Sequence, residues 1–517
     1  MNNKTIITAL LAITAVAGQA QVEEAFFCTD SALVRGHIEN YSLATGFRTL
    51  SAQMTNLFTG ELMTVTAEVQ EDGSFEKRVL LQHPVLNWFY TAESCIALKE
   101  IPFFLCPRDT LNITIHLREG DVPTCEYSGG HSAEVARLLQ VRTDYLDVLR
   151  QCVSYGGDIE TFNLWADSLY TEQLHSLDKR VKTHRFTPYE RRLAECDMAM
   201  EFGSAYLAHF MQITTKMAQG DPAAPYQTGN AVMERLSNPD TYAVLRRLPN
   251  ADSLLLSSKL ASQYLNSLQF AAPFNYPLQV KRGLVWEATK ENVLEELTLL
   301  RDQGRRLFAV EKDNLPMQLL QFRCLNDVLG EWFERGTAKE GFRAVAPFLS
   351  DPRVQEVARQ TYEEMSNSLP TLPLTEGNAA DFVRDILAMY PNRYIVLDFW
   401  AMWCAPCKAE ISATQDFRHS LKERSDVKFI FLANERFPSR KEYQDFVKDY
   451  LQEEVNVAID DDRFHQLQDL FRFNAIPFNV TLTPDGRIVR DGLLLRAAEA
   501  GYDSFIQMLE EMKARLK

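Results

Sequence analysis

The run Tyr394-Ile-Val-Leu-Asp-Phe-Trp-Ala-Met-Trp-Cys-Ala-Pro-Cys-Lys-Ala-Glu410 joins an apolar, strand-like segment to a helical one through two cysteines. Residues 394–399 are nearly continuous in apolar character, as expected of a strand covered on both faces. The pattern that follows Pro406 has helical spacing. Cys404 therefore falls just before a helix and Cys407 within its first turn, where unsatisfied amides and the helix dipole favour a thiolate on Cys404. A helix terminus contributes ~0.3–2 kcal/mol and one pKa unit is worth ~1.4 kcal/mol, so a thiol of pKa about 8.5 drops by up to about one and a half units. Pro406 suits this place because its missing N–H is not needed in a first turn. The spacing allows a disulfide ring that closes and reopens, with Cys404 attacking and the less exposed Cys407 resolving. A zinc site is the competing reading, but structural zinc needs four ligands. No cysteine follows Cys407, and His419 and His465 are the only later histidines.

Working outward, residues 380–390 read as a helix before the strand. After it come a helix at 406–423, a strand at 427–432, a helix at 440–451, a strand at 455–459 and a helix at 464–473. Strands at 478–482 and 487–490 are joined by the turn Thr483-Pro-Asp-Gly486, and an amphipathic helix at 502–516 closes the chain. Strands alternating with helices, then a hairpin and a last helix, predict an α/β mixed sheet covered on both faces.

Phe399-Trp-Ala-Met-Trp-Cys-Ala-Pro-Cys-Lys408 resembles the active-site segment of thioredoxin-fold proteins. Its Trp-Cys-x-Pro-Cys form is similar to that of the TlpA/ResA-type thiol–disulfide oxidoreductases. The resemblance covers about 378–517 and implies a thioredoxin fold with a redox-active Cys404–Cys407 disulfide. Asp398 matches the family's buried strand carboxylate, which assists proton transfer to and from the resolving cysteine. Glu410, three residues after Cys407, matches a glutamate found near the thiols. Ile476-Pro477 matches the loop whose cis-proline lies against the active site and helps hold a substrate strand, with Trp403 beside it. The sequence departs from the pattern in three places. Ser412 stands where many ResA-like chains have proline, Phe478 follows the proline where threonine is common, and 380–390 reads as a helix rather than a β-hairpin.

The chain before this region is long. At 517 residues it exceeds one ordinary domain, and its 46% hydrophobic and 24% charged residues fit a folded protein. Residues 30–129 alternate in short runs broken by turns such as Glu71-Asp-Gly-Ser74, which predicts a β-sandwich. Residues 130–368 change to helical spacing, which predicts eight to twelve helices. Trp165, Trp286 and Trp332 read as core there, and His175, His184 and His209 lack metal-ligand spacing. The Pro- and Thr-rich stretch 369–377 reads as a linker, followed by the thioredoxin-like domain at 378–517. Residues 1–20, with Lys4, an apolar run and small residues near Ala20, read as a signal peptide. No later run is apolar for long enough to span a membrane. Besides the pair there are seven other cysteines, with a bridge among Cys95, Cys106 and Cys125 left open.

A net charge of −16, from 54 basic against 70 acidic residues, argues against nucleic acid as the main partner. These features predict an exported, periplasmic-type thiol–disulfide oxidoreductase, a disulfide reductase in direction, that needs no metal or other cofactor. Its partners are protein thiol or disulfide clients and an upstream electron donor. A second reading makes the thioredoxin-like domain a docking module of a binding or assembly protein. A third, thiol peroxidase, is disfavoured because Ala401, Met402 and Trp403 stand where that family carries a threonine.

Overall fold

The computed structural model describes residues 28–91, 101–117, 123–130, 132–139, 145–219, 230–282, 287–334, 336–367, 371–489, 492–493 and 501–516. The segment read as a signal peptide, and Cys95 and Trp286, lie outside the described residues.

The first region holds β1 (Asp30–Glu39), β2 (Thr49–Thr55), β3 (Leu62–Glu68), β4 (Ser74–Leu81), β5 (Val85–Phe89), β6 (Ile101–Leu105), β7 (Thr110–His116) and β8 (Thr124–Ser128). The alternation in sequence becomes alternation in burial: Val34 and Ile38 of β1, and Leu111, Ile113 and Ile115 of β7, all point into the core. The strands expected to form a sandwich are arranged as one four-stranded sheet, β4-β1-β7-β8, and two ribbons, β2-β3 and β5-β6. β1 runs antiparallel to β4 but parallel to β7, and residues of the sheet and of both ribbons share one apolar core.

Eleven α-helices follow between Ser132 and Ser366 among the described residues. The four longest are α1 (Ile159–His184), α2 (Pro188–Met217), α3 (Lys290–Phe308) and α4 (Leu315–Glu334). α2 starts with a capping box, in which Thr187 and Glu190 each satisfy the other's backbone N–H, and with Pro188 in the first turn. Trp332 is buried and donates to the Ala288 carbonyl at 2.6 Å, while Trp165 packs at the edge of the same core. This core extends to the β-rich region, where the Phe58 ring meets Phe322 edge-on at 5.1 Å and Arg323 donates to the Leu57 carbonyl at 2.9 Å. Cys28, Cys106, Cys125, Cys152, Cys196 and Cys324 are thiols rather than disulfides. Among the described residues no helix is long and apolar enough to cross a membrane.

The last region contains β9 (Thr371–Pro373), α5 (Asn378–Met389), β10 (Tyr394–Ala401), α6 (Ala405–Ala413), α7 (Gln415–Ser420), β11 (Val427–Asn434), α8 (Arg440–Tyr450), β12 (Val455–Ile459), α9 (Asp461–Phe471), β13 (Phe478–Leu482), β14 (Arg487–Val489) and α10 (Tyr502–Arg515). They form one six-stranded sheet in the order β12-β11-β10-β13-β14-β9. β10, β11 and β12 are parallel, whereas β13, β14 and β9 alternate in direction. Two expectations are corrected here. Thr371–Pro373, within the stretch read as a linker, is an edge strand because it pairs with β14. The helix expected over 406–423 breaks at Thr414, whose ψ of 8° leaves the helical range. The Ile411 carbonyl is satisfied there by the Arg418 side chain at 2.8 Å, and the Glu410 carbonyl by the Thr414 hydroxyl at 2.7 Å.

α9 is held from two sides. Phe464, Leu467 and Phe471 pack on the sheet, and the opposite side docks on β2 and β3. Asp462 accepts hydrogen bonds from the Arg48 amide at 3.0 Å and the Thr49 hydroxyl at 2.6 Å. The Thr66 hydroxyl donates to the His465 carbonyl at 3.1 Å, Lys77 pairs with Asp469, and Asn378 donates to Glu68 at 2.6 Å. Burial pushes the Asp469 carboxyl up, and Lys77 opposes that shift. The two side chains of this pair are each 26% exposed, so its loss is expected to cost less than a fully buried pair would. Lys77→Met should lower the stability of the full chain by about 1–2 kcal/mol, read as a lower urea midpoint. An unchanged midpoint would show that the pair contributes nothing.

Candidate functional site

The side chains of β10 divide between two apolar layers. Ile395, Leu397 and Phe399 pack with Val383, Ile386 and Phe464 of α5 and α9. Val396 and Trp400 face the other way, into a cluster with Cys407 and Ile411 of α6 and Phe505 and Leu509 of α10. Asp398 lies between Val396 and Trp400 in the alternation and so shares this second face. It is buried, the one charged residue of a strand otherwise covered on both sides.

At the end of β10 the chain turns through Met402 and Trp403 and enters α6. Cys404 is the N-cap of that helix, with extended backbone at φ −85° and ψ 94°, and its sulfur accepts the Cys407 amide at 3.2 Å. Pro406 occupies the first turn, where no donor is lost. Cys404 and Cys407 are joined in a disulfide with a Cα–Cα distance of 5.3 Å. Both cysteines are buried, Cys407 at 1% and Cys404 at 4% exposure, and Cys404 lies under a surface made by the exposed Ala405 and Pro406 and by Trp403, which is 57% exposed. The Ile476–Pro477 peptide, just before β13, is cis. Register sets Phe399 opposite Phe478, which brings the Pro477 loop to the end of the sheet where Cys404 lies. Phe478, at the position where threonine is common in the family it resembles, is half-buried, stacks on Phe473 at 4.1 Å and 9° and so packs against the core.

Two residues that the sequence did not single out complete the surroundings of Asp398. Asn479 sits directly opposite it on β13, and its side-chain amide donates to Asp398 Oδ2. Arg418 of α7 is buried, donates to the Ile411 and Tyr450 carbonyls at 2.8 Å each, and lies 5.1 Å from the ring centroid of Phe431. Phe431 is the β11 residue paired with Asp398. Glu410, half-buried on α6, lies one turn beyond Cys407. Burial raises the Asp398 carboxyl from its ordinary 3.8 to about 7; the negative charge of Glu410 adds to the rise, while the Asn479 hydrogen bond and the Arg418 charge oppose it. Behind the motif, Trp400 donates to Asn456 at 3.0 Å and stacks on Tyr443, so its indole N–H is satisfied although fully buried. Among the described residues no group of three or more His, Cys, Asp or Glu side chains is arranged to hold a metal. A polar residue two places after a loop proline, in a strand of otherwise good β-formers, was the available signal for Asn479. Arg418 had none, since an arginine in a short helix reads as solvated.

The raised Asp398 carboxyl has a stability consequence. Its folded value lies above its unfolded one, so the unfolded chain ionises first and the native state loses stability as pH rises between them. The loss begins near pH 4 and is complete above pH 7. Asp398→Asn should therefore stabilise the chain by less than 1 kcal/mol at pH 4 and by about 4 kcal/mol at pH 8, at ~1.36 kcal/mol per unit. Urea unfolding at the two pH values measures this, and an equal gain at both would contradict it.

Residues 392–488 match a family model described as thioredoxin-like. Thiol-disulfide oxidoreductase ResA of Oceanobacillus iheyensis is 27% identical over 94 residues, which are 18% of this chain and 46% of ResA. The chain thus spans about half the length of the curated relative it matches. Among solved structures, a DsbF homologue from Corynebacterium diphtheriae is 25% identical, with 24% of this chain and 75% of that one covered and a TM-score of 0.20. The thioredoxin domain of a thiol-disulfide oxidoreductase from Bacteroides vulgatus is 17% identical, with 24% and 82% covered and a TM-score of 0.20. With the strand–motif–helix geometry above, the family match makes the C-terminal region of this chain a thioredoxin-like domain similar to that of ResA.

Proposed function

We propose that the chain is an exported thiol–disulfide oxidoreductase that reduces disulfides in protein clients. The observation that carries this reading is the Cys404–Cys407 disulfide at the N-terminus of α6, with Cys404 as the cap and Trp403 exposed beside it. In the reduced enzyme the Cys404 thiolate attacks one sulfur of a client disulfide, forming a mixed disulfide and releasing the other client sulfur as a thiolate. Cys407 then gives its proton to the Asp398 carboxylate and attacks the Cys404 sulfur, and the second client sulfur leaves. The client has gained two electrons and the enzyme holds the disulfide, which an upstream donor must reduce again. Trp403, Ile476 and Pro477 form the ledge for the client strand. Glu410, one turn beyond Cys407 on α6, carries a negative charge that disfavours a thiolate at the pair, which favours the disulfide state and hence the reducing direction. In this reading 1–20 is the export signal, 30–129 a β-sandwich module and 130–368 a helical one, and the last two choose or position clients for the chemistry at 378–517.

Cys407→Ser removes the resolving thiol and should accumulate mixed disulfides between Cys404 and clients in an extract of the exported compartment, visible as reducible bands on non-reducing gels. If Cys404→Ser/Cys407→Ser gives the same bands, or Cys407→Ser gives none, the reading fails. Reducing activity towards insulin should fall at least a hundredfold in either single variant.

A further inference from the structure

Asp398 is positioned by strand pairing as well as by burial, and the residue directly opposite it on β13 is polar. We propose that Asn479 is a positioning residue for the resolving step, holding the Asp398 carboxylate on the α6 face of the sheet in the state that accepts the Cys407 proton. This rests on the thiol–disulfide exchange reading given above and extends it to a residue outside the Cys-Ala-Pro-Cys motif.

Directly opposed residues of an antiparallel pair share a sheet face, so Asn479 and Asp398 both look towards α6 and α10. The amide donates to Oδ2, which leaves Oδ1 as the oxygen that takes the proton. The groups facing the carboxylate come from five elements. β13 supplies the Asn479 donor, α7 the Arg418 cation and α6 the Glu410 anion, while α10 supplies only apolar side chains such as Phe505 and Leu509. The neighbouring strand β11 contributes the ring of Phe431. Asn479 and Arg418 favour the ionised form, and burial and Glu410 oppose it. The Asn479 bond also fixes the direction of the carboxylate, because it comes from a backbone-paired strand. Arg418 acts as a charge that Asp398 shares with the Glu454 carboxylate, 3.5 Å from its guanidinium, and it is held by the Ile411 and Tyr450 carbonyls. In the resolving step the Cys407 S–H proton passes to Asp398, the Cys407 sulfur forms its bond to Cys404, and the Cys404–client bond breaks with its electron pair on the client sulfur. Each event needs the carboxylate ionised and aimed at α6.

The test uses the full chain with Cys404 loaded as a mixed disulfide with thionitrobenzoate, whose release reports attack by Cys407. Asn479→Leu keeps the side chain's size and removes the donor; Asn479→Val is a second variant that favours a strand. In either, the pH midpoint of release should move up by about one unit and the rate at pH 7 fall about fivefold. In an Asp398→Asn background the same substitution should have no further effect. A separate readout is the carboxyl-carbon NMR titration of labelled Asp398, assigned by its loss in Asp398→Asn, which should shift by the same unit. An unmoved carboxyl titration in folded Asn479→Leu and Asn479→Val, or equal slowing with and without Asp398, overturns the assignment. A wild-type chain that holds thionitrobenzoate without releasing it defeats the exchange reading instead, and the carboxyl titration still decides whether Asn479 holds Asp398.

Discussion

Two-sided burial of β10 is the constraint on which the C-terminal region depends. A strand with both faces covered needs helices above and below, and parallel neighbours need crossovers that supply them. α6 and α7 connect β10 to β11, α8 connects β11 to β12, and α9 leads from β12 towards β13. The other neighbour of β10, β13, is antiparallel, so it begins where β10 ends. Topology therefore brings the loop before β13, with Ile476 and Pro477, to the end of the sheet where Cys404 caps α6. The pair and the ledge share that end because β10 has one parallel and one antiparallel neighbour.

The same burial makes Asp398 costly. A carboxylate deprived of water must be neutralised or partnered, and here it is both raised towards neutrality and given a donor. Asn479 and Arg418 come from elements far apart in sequence, a strand and a short helix. What brings them together is the order of strands and the break of the active-site helix at Thr414. The Ile411 carbonyl freed at that break is what anchors Arg418 beneath the sheet. Without proline at 412, side-chain hydrogen bonds end α6: the Thr414 hydroxyl takes one carbonyl and Arg418 another.

Local signals made much of this region legible in the sequence. The continuous apolar run of β10, the turn at Gly486 and the amphipathic closing helix are properties of adjacent residues, and each lies within about two positions of its expected place. Pairing was not legible. Thr371–Pro373 has the composition of a linker and becomes a strand only because β14 offers it an edge. Asn479 means nothing until the register sets it against Asp398. In the β-rich region the alternation of β1 and β7 was readable, but their parallel pairing was not, since alternation reports which face is buried and not which neighbour lies alongside.

α9 shows how the long N-terminal part bears on the site. One side of it is apolar and belongs to the domain core; the other carries Asp462, His465 and Asp469, residues that would suit a solvated face. Each is instead partly or wholly covered by β2, β3 and their neighbours. Burial holds the His465 imidazole down to about 4, so it stays neutral at physiological pH, and the edge of its ring meets Tyr90 at 5.7 Å. Polar groups buried in this way add little net stability, because desolvation offsets the attraction, but they penalise any other docking position that would leave them unpaired. The β-rich region is thereby fixed in register on the helix from whose C-terminal end the chain runs to Phe473 and on to Pro477. The ledge beside Cys404 thus starts from a helix clamped between its own sheet and a second region of the chain.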